Sequence, residues 1–313
     1  MILGDKVLTV LENESNFSEK NISSHWIEFL KDFKYEEGKF LGKWLPEGGG
    51  GKRWIPKMLA EYIFQIPFRR QGRQFPDFMK ILQCAIGVHK ERNTSLLLGT
   101  LRQALSLAFL QKHLALDQLT GPIVVIGDGF GIMSSLILSY LSDAKIKVVV
   151  VNLTQNLLID VFFIKKSVPF ANICLVKDTE AYHESLKDSE VNTICIQADN
   201  AQVIKSEAMG LVINIASMQE MNPYVIAEYF DFMRTSANQK TYFYCVNRIE
   251  KTLPDGTVVS FFKYPWHSDD QIIVDELCPW HQYNYNYKRP PFYFRYAGPF
   301  QHRLTLMHKA SQI

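Results

Sequence analysis

Between Pro122 and Val246 the chain alternates short apolar runs with segments whose apolar residues recur every three or four positions. The runs at Ile123–Ile126, 147–151, 172–176, Thr193–Gln197, Leu211–Ile215 and 241–246 are continuous and rich in β-branched residues, the pattern of strands buried on both faces. Helices are expected between them, over 132–141 and over 156–166, the second with Leu157, Leu158, Val161 and Phe162 on one face. Strands joined by helices give a largely parallel sheet covered on both sides, so the fold class is α/β, a doubly wound, Rossmann-like sheet.

The first third has a different rhythm. Residues 1–21 are polar and are expected to be loosely held. Trp26, Phe29, Leu30 and Phe33 have helical spacing, and Leu101, Leu105, Ala108, Phe109 and Leu116 mark a long helix that Thr120-Gly121-Pro122 stops. Residues 1–117 therefore read as a mostly helical N-terminal cap, and 118–313 as the α/β domain. Within the latter, 261–300 reads as an aromatic-rich insertion, followed by a closing antiparallel strand over 302–309.

Composition narrows the class without changing the fold. Of 313 residues, 47% are hydrophobic and 21% charged, enough apolar material for a sizeable core. The net charge of +2, from 34 basic and 32 acidic residues, lacks the excess of Lys and Arg that a nucleic-acid partner demands. No run approaches the roughly 18 apolar residues of a membrane span, and the first residues lack a basic start followed by an apolar run. Cys84, Cys174, Cys195, Cys245 and Cys278 form no CxxC pair, and three lie in strand-like runs, which suits reduced, buried thiols. A cytoplasmic protein acting on a small molecule is expected; self-association stays open.

Gly48–Gly51 followed by Lys52 imitates a phosphate loop, but Pro46 and Arg53 stand where a Walker sequence needs Gly and Ser/Thr. A flexible glycine-rich loop near a substrate opening is the better reading. Gly127-Asp128-Gly129-Phe130-Gly131 is different, because it follows a strand and precedes a helix. Glycine permits the tight turn and a close backbone approach, and the helix start offers free N–H groups. The dinucleotide pattern G-x-G-x-x-G/A needs Gly or Ala at 132, where Ile132 stands; the spacing here is G-x-G-x-G.

That spacing resembles motif I of the class I S-adenosylmethionine-dependent methyltransferases. The run Asn214-Ile215-Ala216-Ser217-Met218-Gln219-Glu220-Met221 resembles the N-x-x-S-x-x-E-M motif of the sugar O-methyltransferase family, and the resemblance covers about 122–309. It implies S-adenosylmethionine as cofactor, with Gly127, Asp128, Gly129 and Gly131 at the donor. In that family an acidic residue ending the second strand binds the ribose; the matching position is Asn152, whose amide can still bond a diol. Gln197 and Asp199, or Asn200 beside them, match the groups presented to adenine. Asn214 joins the cofactor side, while Ser217, Gln219, Asn222, Trp266 and Trp280 are assigned to a carbohydrate, nucleotide-linked or glycan-linked sugar, since aromatic faces stack on sugar rings.

Methyl transfer to a sugar hydroxyl needs a base near neutral pH. His267, set among Trp266, Asp269 and Asp270, is the first candidate; Glu220 is second and His281 third. His267 with Asp269 and Asp270 offers metal-type donors, but adjacent aspartates are commonly a solvated turn, and no metal is assigned. Two alternatives remain: a nicotinamide-dependent oxidoreductase, and a methyltransferase fold that has lost catalysis and serves as a binding or scaffold subunit.

Overall fold

The computed structural model describes residues 1–15, 21–36, 39–41, 54–205, 207–238 and 240–308. Its centre is a nine-stranded sheet. In chain order the strands of this sheet are β1 (Ile2–Leu3), β2 (Ile123–Ile126), β3 (Val148–Asn152), β4 (Ile173–Val176), β5 (Thr193–Gln197), β6 (Leu211–Ile215), β7 (Lys240–Arg248), β8 (Gln271–Leu277) and β9 (Phe300–His308). Across the sheet they run β1-β4-β5-β3-β2-β6-β7-β9-β8. The strands from β4 to β7 are parallel, whereas β1 at one edge and the β9–β8 pair at the other are antiparallel.

Successive side chains of a strand face opposite sides, so both faces need helices when every position is apolar. Ile123, Val125, Val148 and Val150 pack into one core with α4 (Phe78–Glu91), α5 (Leu98–Leu114), α6 (Ile132–Tyr140) and α7 (Thr154–Ser167). Val124, Ile126, Val149 and Val151 pack into the other with α8 (Thr179–Lys187) and α9 (Pro223–Arg234). The expected α/β, doubly wound architecture is therefore present. N-terminal helices α3 (Ile55–Gln71), through Phe68, and α4 and α5 share one core with α6 and α7. Cys174, Cys195, Cys245 and Cys278 are buried free thiols, and Cys84 is half-buried.

Two regions differ from expectation. The opening residues are ordered: β1 pairs with β4, and α1 (Lys6–Glu14) buries Val7 and Leu11 completely against the core. Val7, Leu8, Val10 and Leu11 make only one short apolar turn before polar residues 12–15, too little pattern to fix a helix alone, and tertiary packing supplies the rest. The aromatic segment is also part of the sheet, because Gln271–Leu277 forms its edge strand β8. Its side chains are mostly exposed, and its apolar run, Ile272-Ile273-Val274, ends at Asp275 and Glu276, too short to mark a buried strand. Residues 48–53, with the glycine run, lie outside the described residues.

Candidate functional site

In an open parallel sheet, ligands bind beyond the carboxyl ends of the strands, where the winding direction reverses. Here that point is the end of β2, between β3 on one side and β6 on the other. The loop leaving β2 has positive φ at Gly127 (68°), Gly129 (59°), Phe130 (65°) and Gly131 (58°). The three glycines meet three different demands. A Cβ at Gly127 would lie 2.0 Å from Ser217 Oγ, and one at Gly131 would lie 2.6 Å from Ile164 on α7. At Gly129 it would meet nothing within 4 Å, so only there does bare backbone face open space.

The helix start behind the loop is not free. Buried Asp128 accepts from Met133 N (2.7 Å) and Ser134 N (2.8 Å), capping α6 from within the turn. Asp160 on α7 ties the loop to the next strand. Its carboxylate accepts from Gly131 N (2.9 Å) and from Asn152 Nδ2 (2.7 Å), while Asn152 Oδ1 accepts from Leu153 N. Burial, reinforced by Asp128, pushes Asp160 up to about 8. The sequence carries a sign of this group, a carboxylate on the apolar face of a helix, although it was not among the candidates.

Beyond the strand ends lies a cavity of about 260 Å³. Asn152 and Leu153 after β3, Asp199 after β5, Ser217 after β6 and Tyr229 of α9 line it, and residues 21–23 with Trp26 close one side. The helix α2 (Ser24–Leu30) that carries Trp26 is held by Ser23 Oγ donating to the carbonyl of Glu220. Glu220 Oε1 accepts from Lys251 Nζ (2.7 Å), and Oε2 lies 3.4 Å from His25 Nε2. Burial alone would raise Glu220, but His25 and Lys251 outweigh it and hold the carboxyl below its ordinary range. His25, between the lining residues Ser23 and Trp26 and paired with Glu220, was not foreseen, since an isolated His at the start of a short helix carries no motif.

Thus the structure brings Asn152, Asp199 and Ser217 to one cavity, with Gly127 of the loop against Ser217 and Glu220 behind the lining, bonded through its carbonyl to Ser23. Gln197 borders them, its amide donating to Thr154 Oγ1 and Glu14 Oε2. Asn222 stands at the N-cap position of α9 without a side-chain cap hydrogen bond and does not line the cavity. Asn214 is fully buried instead: it donates to Ile126 O and accepts from Met218 N and Asn247 Nδ2, stitching three strands. Gln219 accepts from Arg248 N and receives no exposure to the cavity.

The C-terminal candidates lie elsewhere. His267 has a side chain 60% exposed, 3.4 Å from Asp269, on a turn fastened by the Arg234–Asp270 pair, and it does not line the cavity. Trp266 donates to Phe261 O and stacks beside Phe243 under Arg303. Trp280 is buried in the core with Nε1 donating to Ser106. His281 is buried against Phe300 with Nδ1 3.1 Å from Cys278 Sγ, and desolvation drives its pKa well below the usual value. Among the described residues no cluster of His, Cys, Asp and Glu could hold a metal ion, and no helix is long and apolar enough to cross a membrane.

No family model and no curated protein matches the chain. Several solved structures resemble it at low identity. A SAM-dependent methyltransferase from Leishmania major is 10% identical, covers 60% of this chain and 65% of its own, and has a TM-score of 0.36. A Haemonchus contortus phosphoethanolamine N-methyltransferase complexed with phosphoethanolamine and S-adenosylhomocysteine is 14% identical over 82% of this chain and 50% of its own (TM-score 0.37). The O-methyltransferase of tomaymycin synthesis from Streptomyces achromogenes, complexed with SAM, is 15% identical over 73% and 89% (TM-score 0.32). The chain thus spans less than two thirds of the first two. At these values the site has to be read from its own geometry.

Proposed function

We propose that the crevice binds S-adenosylmethionine and that the protein transfers its methyl group to a hydroxyl of a sugar. The observation that carries this reading is the convergence of Asn152, Asp199 and Ser217 on one cavity beyond the reversal point of the sheet, with Gly127 of the glycine loop packed directly against Ser217. The residues fit the donor: Gly129 leaves bare backbone facing open space beside the crevice, the Asn152 amide is held at the end of β3 to meet a ribose, and Leu153 with Asp199 offers an apolar wall and a polar edge for adenine.

When bound, S-adenosylmethionine supplies a methyl carbon already activated by a sulfonium, so alignment and exclusion of water are the protein's main tasks. Trp26 and residues 21–23 cover the cavity, which serves the second. The acceptor's proton leaves at the Glu220–His25 pair: His25 Nδ1 takes it, while Nε2 faces the ionised Glu220, which stabilises the resulting imidazolium. The sugar reading rests on the Asn214–Met221 motif, whose Ser217 and Met221 are in the cavity wall.

The oxidoreductase alternative fits less well, because the antiparallel strand β9 is inserted between β7 and β8, where the dinucleotide-binding order continues in parallel. Calorimetric titration separates the readings: S-adenosylhomocysteine should bind and NADH should not. Labelled methyl should then pass from S-adenosylmethionine to members of a panel of free and phosphorylated sugars; binding without transfer would leave only the cofactor half of the proposal standing.

A further inference from the structure

A second cavity, of about 250 Å³, lies on the other side of the glycine loop. Gly129 and Phe130 of the loop form one wall; Arg92, at the end of α4, and Leu97, Thr100 and Gln103, at the start of α5, form the rest. Arg92 is only 3% exposed, and its guanidinium is incompletely used. Nε donates to Ser167 Oγ and Nη2 to Phe130 O, which fixes its plane, but Nη1 is buried with no hydrogen-bond partner among the described residues. Gln103, which also lines this cavity, has its Oε1 buried and equally unpartnered among the described residues. A buried donor and a buried acceptor left open in one cavity are expensive unless something enters to meet them.

The surroundings say what that something is. Burial lowers Arg92 to about 10, which leaves it a cation at neutral pH. The carboxyl groups nearest to it, those of Asp128 and the proton-holding Asp160, direct their oxygens to the backbone of Met133, Ser134 and Gly131 and to Asn152. His89, gripped between the hydroxyls of Thr94 and Thr100 at 2.7 Å each, is held neutral by desolvation and brings no counter-charge. An entering group must therefore present anionic oxygen to Nη1 and an N–H or O–H to Gln103.

We infer that this cavity is an anion subsite, in which Arg92 and Gln103 grip a carboxylate or phosphate that carries a neighbouring hydrogen-bond donor. Two molecules supply that chemistry beside this loop. One is the amino-acid end of the methyl donor, a source that rests on the function proposed above. The other is an acidic group on the acceptor.

Calorimetric titration of S-adenosylhomocysteine, 5′-methylthioadenosine and inorganic phosphate into the wild-type protein, Arg92→Met and Gln103→Leu tests the subsite. 5′-Methylthioadenosine keeps the nucleoside and sulfur but lacks the amino-acid end. An anionic probe should lose roughly 10- to 150-fold in affinity in both variants, the range for one hydrogen bond to a charged group, while 5′-methylthioadenosine binds as before. Loss for S-adenosylhomocysteine places the donor's amino-acid end here, and loss for phosphate alone places the acceptor's acid here. Unchanged binding of both anionic probes, or a parallel loss for 5′-methylthioadenosine, overturns the inference. Gln103→Leu removes an acceptor that holds nothing in the fold, so it decides the matter even where Arg92→Met does not fold. If S-adenosylhomocysteine fails to bind the wild type, the proposed function falls while the phosphate titration still judges the subsite.

Discussion

The two ends of the sheet treat their polar and aromatic residues in opposite ways. Where the parallel strands β2, β3, β5 and β6 end, Asn152, Asp199 and Ser217 reach a common cavity. At the antiparallel end, around β8 and β9, the denser collection of aromatics and histidines turns inward or outward but not toward that cavity: Trp280 and His281 are core, and His267 is in solvent. Parallel strands direct successive loops to one edge of the sheet, so their ends concentrate side chains. Antiparallel connections alternate between edges, and aromatic density there builds a core of its own. Richness in chemistry-bearing residues is therefore a weaker guide to a site than strand direction.

The sharpest way to break this comparison sets the two histidines against each other. His25→Ala should lower turnover by roughly 10²–10⁴-fold if it takes the acceptor's proton, whereas His267→Ala should stay within about twofold, as expected of an exposed residue away from the chemistry. Steady-state kinetics on both variants checks this; the reverse ranking would return the site to the antiparallel end.

Two glycines make a structural pair. Gly127→Val places a side chain 2.0 Å from Ser217 Oγ at a φ of 68°, and should destabilise by about 2–5 kcal/mol and abolish S-adenosylhomocysteine binding. Gly256→Val has a similar φ of 88° but meets nothing within 4 Å, so only the backbone strain of ~1–3 kcal/mol applies and binding should persist. Denaturant unfolding together with calorimetry separates the effects.

A smaller effect sharpens the account of β3. Asn152→Ala should weaken S-adenosylhomocysteine by about 1–3 kcal/mol; affinity unchanged within error would move the ribose contact to another residue. The strand carrying Asn152 was legible because its run of valines could only be a buried strand, and so were the glycine turn and the Asn214–Met221 motif. What Asn214 and Gln219 do was not legible. Their amides bond across strands that are far apart in sequence, and no spacing along one strand announces that. Asp160 escaped for a related reason, its importance coming from the loop and strand that fold brings to it.

The smallest predicted effect concerns pH. Asp160 holds its proton in the folded protein up to about pH 8 but would lose it near pH 4 when unfolded. The folded state therefore binds the extra proton between these values, and stability contributed by this group falls as pH rises through that window. Asp160→Asn should flatten the dependence, measured as unfolding midpoints across pH 5–8; an unchanged slope would mean that the carboxyl is ionised in place.

A crystal structure with S-adenosylhomocysteine tests the central claim most directly. The account predicts adenine between Leu153 and Asp199, the ribose at Asn152 and the homocysteine chain along Gly127–Gly129. A ligand seated instead among Trp266, Trp280 and His267, or bound clear of the β2 loop, would contradict it.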